Sequence, residues 1–275
     1  MEVVSLSNND SMKQSMWNFV FNDIADPRTS SWFLVGNPLP VLAILISYLY
    51  FVLKWGPNFM KDRKAYSLKR PIMIYNMFQV IFNIYLCYKG SEMWRTYNWI
   101  CQPIDYSNSP FALATAWSCY LYFINKITDL MDTIFFTLRK KTSQVTFLHL
   151  FHHTLMPVIS WIMVKYIPGG QITFAGFLNT FVHIILYGYY FLSSCGPEVQ
   201  KYLGWKKYIT RLQLVQFILV FIHSCQILFV DCGFPKWTLI ITLPNATFFY
   251  FLFSDFYKNN YTTPKSANKV HVKSK

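Results

Sequence analysis

Charged side chains are scarce in this sequence of 275 residues, because only 13% are Asp, Glu, Lys or Arg. A soluble globular domain carries about 25%, so the shortage argues against a water-soluble fold. Acidic residues are the scarcer kind, with 12 Asp and Glu against 25 Lys and Arg, which gives a net charge of +13. That charge could indicate nucleic-acid binding, but the basic residues stand between long apolar runs rather than on a polar domain. We therefore predict a membrane protein with no nucleic-acid partner.

The sequence also lacks the pattern of a signal peptide, internal repeats and linkers. Residues 1–31 are polar, with no basic start followed by an apolar run, so we expect no cleavable signal peptide. No internal repeat and no Gly/Ser-rich linker divides the chain. We predict an N-terminal segment 1–31, a membrane domain 32–257 and a disordered basic tail 258–275. The sequon at Asn9 is a weak signal of glycosylation.

Long apolar runs are abundant, since hydrophobic residues make up 53% of the chain and aromatic residues 20%. A membrane-spanning helix needs about 20 mostly apolar residues. Seven runs qualify, at residues 32–53, 71–88, 111–135, 145–164, 171–193, 212–230 and 237–255. The predicted fold class is therefore all-α, a polytopic membrane protein with seven transmembrane helices.

The loops between these runs alternate in charge. Lys and Arg are concentrated in 54–70, 136–144, 194–211 and the tail, and they are few in 89–110, 165–170 and 231–236. Basic loops tend to stay in the cytosol, so we predict a lumenal N-terminus and a cytosolic C-terminus. Cys101 and Cys232 then fall in two different lumenal loops, where an oxidising environment permits disulfides. We predict that these two cysteines are bridged.

Histidine is rare, yet three of the six histidines lie in the segment LHLFHHTLMP, Leu148 to Pro157. His149, His152 and His153 are spaced i, i+3 and i+4, which places them on one helix face. Ionisable groups inside membrane spans are costly and usually mark function. Polar residues of neighbouring spans lie at a similar depth, namely Lys126, Asp129, Asp132, Asn179, His183, Tyr187, Tyr190, Gln213 and Gln216. We predict a polar chamber in the cytosolic half of the bundle.

Basic residues near the cytosolic ends of the spans would surround the mouth of this chamber, namely Arg139, Lys140, Lys206 and Lys207. They favour an anionic substrate, and phosphate is the natural ligand for such a rim. His223 lies toward the other end of the sixth span, where we expect a structural hydrogen bond.

Two chemistries fit the clustered histidines. One is a metal site, as in the membrane di-iron oxygenases and desaturases, which use histidine boxes. This chain has only six histidines, fewer than such a site needs, so we expect no metal cofactor. The other is acid–base or acyl-transfer chemistry. A seven-span carrier is a further alternative, because a proton-coupled carrier could also use converging histidines and carboxylates.

Four further motifs accompany the histidine box, in a consistent order along the chain. They are GPNFMKDRKAYSLKRPIMIYN from Gly56, KITDLMDTIFFTLRKK from Lys126, NTFVHIILYGYYFLS from Asn179 and TRLQLVQF from Thr210. Together with LHLFHH they resemble the ELO family of very-long-chain fatty acid elongases. Asp129 stands where that family usually has Glu, which keeps the carboxylate and removes one methylene.

The resemblance implies a 3-ketoacyl-CoA synthase, an acyltransferase of the endoplasmic reticulum membrane. Such an enzyme condenses a long-chain acyl-CoA with its co-substrate malonyl-CoA and releases carbon dioxide and CoA, with no cofactor. Spans two to seven would form a helical barrel around an acyl-CoA tunnel, with the first span outside. Membrane lipid and the other enzymes of the elongation cycle are the expected partners, and a homo-oligomer is left open.

The residues can be assigned roles on this basis. His152 would be the nucleophile, because a neutral imidazole can accept an acyl group. The other expected catalytic residues would move protons, orient a partner or stabilise an enolate oxygen; they are His149, His153, His183, Asn179, Asp132, Asp129 and Gln213. The expected substrate-binding residues are Lys126, Arg139, Lys140, Tyr187, Tyr190, Lys206, Lys207 and Gln216. Neither the preferred chain length nor the preferred unsaturation follows from the sequence.

Overall fold

The structure, a computed structural model, describes residue 14 and residues 16–262. These residues form helices joined by loops, without β-strands. Six of the helices are long and apolar enough to cross a membrane. The predicted all-α polytopic membrane class is therefore confirmed. The sequon at Asn9 and residues 263–275 of the predicted tail lie outside the described residues.

Eight longer helices carry the fold of the described part. They are α1 (Pro38–Tyr50), α2 (Lys69–Thr96), α3 (Pro110–Thr128), α4 (Met131–Leu138), α5 (Phe147–Tyr166), α6 (Thr173–Cys195), α7 (Lys206–Phe229) and α8 (Leu239–Tyr257). Helical turns at Phe51–Trp55 and Gly56–Met60 continue α1, and one at Lys258–Thr262 continues α8. Proline begins α1 and α3, and a side-chain cap precedes each one, because Asn37 and Ser109 accept hydrogen bonds from backbone N–H groups of the first turn.

The third predicted span, residues 111–135, is not one continuous helix. α3 ends at Thr128, and α4 begins at Met131 after a turn. α3 is not among the six helices identified as candidate spans, because polar residues such as Asn125 and Lys126 lower its hydropathy. The count of seven spans and the orientation of the chain therefore stay predictions.

Six helices surround a central space. α2 packs along α6, α6 against α7, and α7 against α8. On the other side, α2 contacts α3, and α3 packs on α5. Aromatic side chains close the ring between α5 and α8, because the Phe151 ring centroid lies 5.3 Å from that of Phe248 and 6.0 Å from that of Phe249. This arrangement is the barrel expected of spans two to seven.

The first helix lies outside the ring, against α3 and α5. Its residues Leu45 and Tyr48 share one apolar core with Phe123 of α3 and Val164 of α5. In a membrane, such packing stabilises through close van der Waals contact rather than through exclusion of water. The continuation of α1 also comes close to α4: a Cβ atom at Gly56 would lie 2.6 Å from Thr137 Cγ2.

One end of the ring is tied together covalently. Cys101, in the loop after α2, and Cys232, in the loop after α7, form a disulfide, which is the predicted pair. Lys165 lies fully buried at the same end and donates to the backbone carbonyls of Val35 and Gly36 at 3.3 and 3.0 Å. We call this the disulfide end. The opposite end, which carries Lys69, Arg139 and Lys206, is called the basic end.

Candidate functional site

The histidine box occupies the first two turns of α5. Thr146 begins this helix, and its hydroxyl accepts a hydrogen bond from the backbone N–H of His149 at 3.2 Å. The rings of His149 and His153 lie 4.1 Å apart between centroids, and those of His152 and His153 lie 5.4 Å apart. The spacing predicted from the sequence therefore brings the three imidazoles together, as one helix face requires.

These histidines line a chamber of about 760 Å³ that occupies the basic end of the ring. Twelve residues that the sequence analysis proposed for the site line it: Asp132, Arg139, His149, His152, His153, Asn179, His183, Tyr187, Tyr190, Lys206, Gln213 and Gln216. They come from α4, from Arg139 directly after it, and from α5, α6 and α7. The predicted polar chamber is therefore present, with basic side chains at its mouth.

Lys126 lies behind this chamber and not at its mouth. Its ammonium donates to Asp129 Oδ2 at 2.8 Å, and the two side chains are only 1% and 4% exposed. The expectation that Lys126 contacts CoA phosphates is corrected, because the buried carboxylate of Asp129 neutralises its charge. The two residues are three apart at the end of α3, so the pair forms within one helical turn.

The same buried pair determines the tautomer of a chamber histidine. His183 Nδ1 lies 3.5 Å from Lys126 Nζ and 3.8 Å from Asp129 Oδ2. An ammonium group donates hydrogen bonds and cannot accept them, so Nδ1 of a neutral His183 is an acceptor. The ring proton is then on Nε2, which makes His183 a hydrogen-bond donor on its other side.

One phenol bridges the two carboxylates of this region. Tyr187 Oη lies 2.9 Å from Asp129 Oδ1 and 2.8 Å from Asp132 Oδ2. A phenol has one proton, so it cannot donate to two ionised carboxylates at once. Because Asp129 is paired with Lys126, we assign a proton to Asp132 and let Tyr187 donate to Asp129. Tyr187 is 1% exposed and acts here as a bridge between the carboxyl groups.

Two lysines predicted at the mouth point elsewhere. Lys140 Nζ donates to the backbone carbonyl of Lys61 at 3.0 Å, and Lys207 Nζ lies 5.2 Å from the ring centroid of Tyr208. Both are exposed, and neither lines the chamber. Lys69, at the start of α2, lines it instead. In the sequence Lys69 stands out only as a loop charge, although its position directly before a span is the signal that could identify it as a mouth residue.

A second, apolar cavity of about 150 Å³ lies deeper in the ring, toward the disulfide end. Residues of all six ring helices line it, including Leu86, Ser118, Met156, Gly176, Val220 and Ile241. A hydrogen bond links the linings of the two cavities. Tyr122, which lines the apolar cavity, donates to Asn179 Oδ1 at 3.0 Å, and Asn179 lines the chamber. The amide nitrogen of Asn179 is therefore left as a donor.

The histidines differ in their hydrogen bonds. His149 Nε2 lies 2.9 Å from Thr133 Oγ1, and Nδ1 of His153 is buried without a partner within the described part of the chain. His152 lines the chamber and has no hydrogen-bond partner among the described residues; its ring lies edge-on to Phe249 at 5.0 Å. Among all the residues that the structure describes, no three His, Cys, Asp or Glu side chains are grouped so that they could hold a metal ion.

Comparison with known proteins identifies the family. Residues 33–269 match the model of the ELO family, described as the GNS1/SUR4 family. The chain belongs to the ELO family. It is 46% identical over 260 residues to very long chain fatty acid elongase 7 of Rattus norvegicus, covering 91% of this chain and 92% of that protein.

Other relatives of the ELO chain carry related names. It is 45% identical over 260 residues to very long chain fatty acid elongase 7 of Drosophila melanogaster, covering 94% of this chain and 79% of the relative. It is 41% identical over 269 residues to very long chain fatty acid elongase 4 of Homo sapiens, covering 96% and 84%. The resemblance inferred from the motifs is therefore confirmed.

His223 lies outside the histidine box and the chamber, and its contacts are structural. His223 of α7 is buried at the disulfide end, where its ring stacks on Phe174 at 4.0 Å between centroids. Gln171 Nε2 lies 3.3 Å from its ring nitrogens and 3.2 Å from its backbone carbonyl. These contacts agree with the structural role that the sequence analysis gave to His223.

Proposed function

We propose that this ELO family chain is a 3-ketoacyl-CoA synthase, which condenses a long-chain acyl-CoA with malonyl-CoA. The observation that carries the proposal is the succession of two compartments inside one helical ring. A polar chamber with basic residues at its mouth suits the phosphates and thioester of an acyl-CoA. The apolar cavity beyond it suits the end of a fatty acyl chain.

The proposed first step is acyl transfer to His152. A ring nitrogen with a free lone pair attacks the thioester carbonyl, the carbon–sulfur bond breaks, and the proton lost from the imidazole goes to the CoA thiolate. His152 suits this step better than His149, whose Nε2 is already engaged by Thr133. His153 has no hydrogen-bond partner among the described residues either, but its Nδ1 is buried, so we assign the nucleophile to His152. A cysteine nucleophile is not required.

In the second step malonyl-CoA loses carbon dioxide, and the resulting enolate carbon attacks the acyl-imidazole. The new carbon–carbon bond replaces the carbon–nitrogen bond, which gives 3-ketoacyl-CoA, and the released imidazolate takes up one proton from water at the open mouth of the chamber, which restores His152. The enolate oxygen needs hydrogen-bond donors at this stage. The amide nitrogen of Asn179 and Nε2–H of His183 are the donors that the hydrogen-bond pattern leaves available, and the amide of Gln213 adds a third donor.

The basic residues at the mouth of the chamber are the proposed binding site for CoA. Arg139, Lys206 and Lys69 would bind the phosphates of CoA, with Gln216 and Tyr190 deeper in the same chamber. No cofactor is needed, because decarboxylation of malonyl-CoA drives the condensation. We place this multi-pass membrane protein in the endoplasmic reticulum, beside the other enzymes of the elongation cycle.

The decisive experiment uses the purified protein, a long-chain acyl-CoA and carboxyl-labelled malonyl-CoA, in the presence of a chelator. We expect labelled carbon dioxide and a 3-ketoacyl-CoA that is two carbons longer than the substrate. Condensation that appears only after metal is added would instead support a metal-dependent membrane oxygenase or desaturase. Transport of the substrate without any condensation would support a carrier.

Filling the apolar cavity is expected to shorten the products. Gly176 lines it, and a Cβ atom there would meet Tyr122 at an ordinary distance of 3.7 Å. Gly176→Ala should therefore leave the product spectrum unchanged, whereas Gly176→Leu should occupy the cavity and exclude the longest acyl chains. The measurement is the chain-length distribution of products by mass spectrometry. An unchanged distribution for active Gly176→Leu would show that the acyl chain does not use this cavity.

A further inference from the structure

A buried line of hydrogen bonds joins the outer helix to the histidine box. Tyr48, on α1, donates from its phenol to Thr133 Oγ1 at 2.7 Å. Thr133, on α4, lies 2.9 Å from His149 Nε2 through the same oxygen. Tyr48 is 5% exposed and Thr133 is 0% exposed. The line therefore crosses from a helix outside the ring to a side chain that lines the chamber.

The direction of these hydrogen bonds follows from counting protons. Among the described residues, Thr133 Oγ1 is the hydrogen-bond partner of the Tyr48 hydroxyl, so the phenolic proton points to threonine. If the line ran the other way, that proton would be buried without an acceptor, at a cost of about 1–3 kcal/mol. Thr133 then has its own hydroxyl proton to donate, and His149 Nε2 is the group that accepts it.

We propose that Tyr48 and Thr133 are positioning residues that hold His149 in the tautomer with its proton on Nδ1. This inference rests on the proposed function. With Nε2 occupied, His149 does not act as the base of the reaction. It presents Nδ1–H as a hydrogen-bond donor in the chamber that it lines, where it polarises the thioester carbonyl and leaves His152 as the nucleophile.

In this proposal the first helix supports catalysis by positioning a histidine of the box. The six-helix ring contains the chamber, but the phenol that orders His149 comes from α1, which packs outside the ring. The helical turn that continues α1 also packs closely on α4, since a Cβ atom at Gly56 would lie 2.6 Å from Thr137 Cγ2, and this packing supports the contact between Tyr48 and Thr133. A ring without a correctly docked first helix would retain its cavities and lose the orientation of one box histidine.

The test is steady-state condensation by Tyr48→Phe and Thr133→Val, with melting temperatures measured in the same detergent. Each variant removes one hydroxyl and keeps the packed shape. We expect kcat to fall roughly tenfold, with KM for both CoA substrates unchanged, because one transition-state hydrogen bond is misdirected. Tyr50→Phe is the matched control, since Tyr50 lies on the same helix and is 58% exposed; it should retain the wild-type kcat.

Two further variants separate positioning from packing. The double variant Tyr48→Phe/Thr133→Val should be no slower than Thr133→Val alone, and Thr133→Ser should recover most of kcat. If the two single losses of kcat multiply in the double variant, or if Tyr48→Phe lowers the melting temperature but leaves kcat unchanged, the positioning role is overturned and the proposed function stays intact. If the wild-type protein does not condense its substrates, the proposed function is overturned and the positioning role falls with it.

Discussion

Replacing His152 by alanine is expected to lower the rate of condensation by about 10³-fold or more, because the acyl group then has no nucleophile to receive it. We expect the other three chamber histidines not to substitute for it. His149 Nε2 is engaged by Thr133, His183 Nδ1 faces Lys126, and the Nδ1 of His153 is buried away from a substrate. The loss should appear in kcat, while the binding of acyl-CoA at the basic mouth is retained.

The covalent step can be observed directly. Incubation of the protein with acyl-CoA alone should raise its intact mass by one acyl group and release one CoA per adduct. His152→Ala should lose the adduct, and His223→Asn, a change at the disulfide end, should keep it. An adduct of equal yield on His152→Ala would assign the nucleophile to another residue and contradict the acyl-imidazole proposed here.

The second large effect concerns stability. Asp129→Ala is expected to lower the free energy of unfolding by about 3–5 kcal/mol, because it leaves the Lys126 ammonium buried without its counter-charge. Asp129 also accepts hydrogen bonds from Gln79 and Tyr187, at 2.9 Å in each case. The same variant should therefore disturb the bridge to Asp132 and reduce condensation by the protein that remains folded.

A double variant distinguishes charge burial from loss of contacts. Lys126→Met/Asp129→Leu removes both charges, and we expect it to recover much of the stability without recovering the activity. The matched control is Glu198→Ala, which breaks an exposed lysine pair with the same i, i+3 spacing and should cost less than about 1 kcal/mol. Equal losses of melting temperature for Asp129→Ala and Glu198→Ala would show that burial does not strengthen the Lys126 pair.

Lys126 is a residue for which the sequence suggested the wrong binding partner. On the sequence it is one of several lysines near a basic loop, and proximity to that loop suggested phosphate binding. The i, i+3 spacing permits the pair with Asp129, but the spacing does not show whether the ammonium is open to a phosphate. That depends on the packing around the end of α3, which leaves the two side chains only 1% and 4% exposed.

The chemistry-bearing residues themselves were visible in the sequence. Three histidines at i, i+3 and i+4 share a helix face in any α-helix, and a membrane span has to be helical because its backbone finds no water to bond. The same periodicity placed Asn179 and His183 on one face of α6. Twelve of the sixteen catalytic and substrate-binding residues predicted from the sequence line one chamber for this reason.

The sequence by itself determined the all-helical membrane class, the histidine box and the pairing of Cys101 with Cys232. Hydrophobic runs, helical spacing and loop charge depend only on residues close together along the chain, so they can be read without a fold. Only the tertiary structure decided that the Lys126–Asp129 pair is buried, that Lys140 and Lys207 turn away from the chamber, and that Tyr48 reaches His149 through Thr133. These outcomes depend on which helix packs against which, and no local pattern encodes that choice.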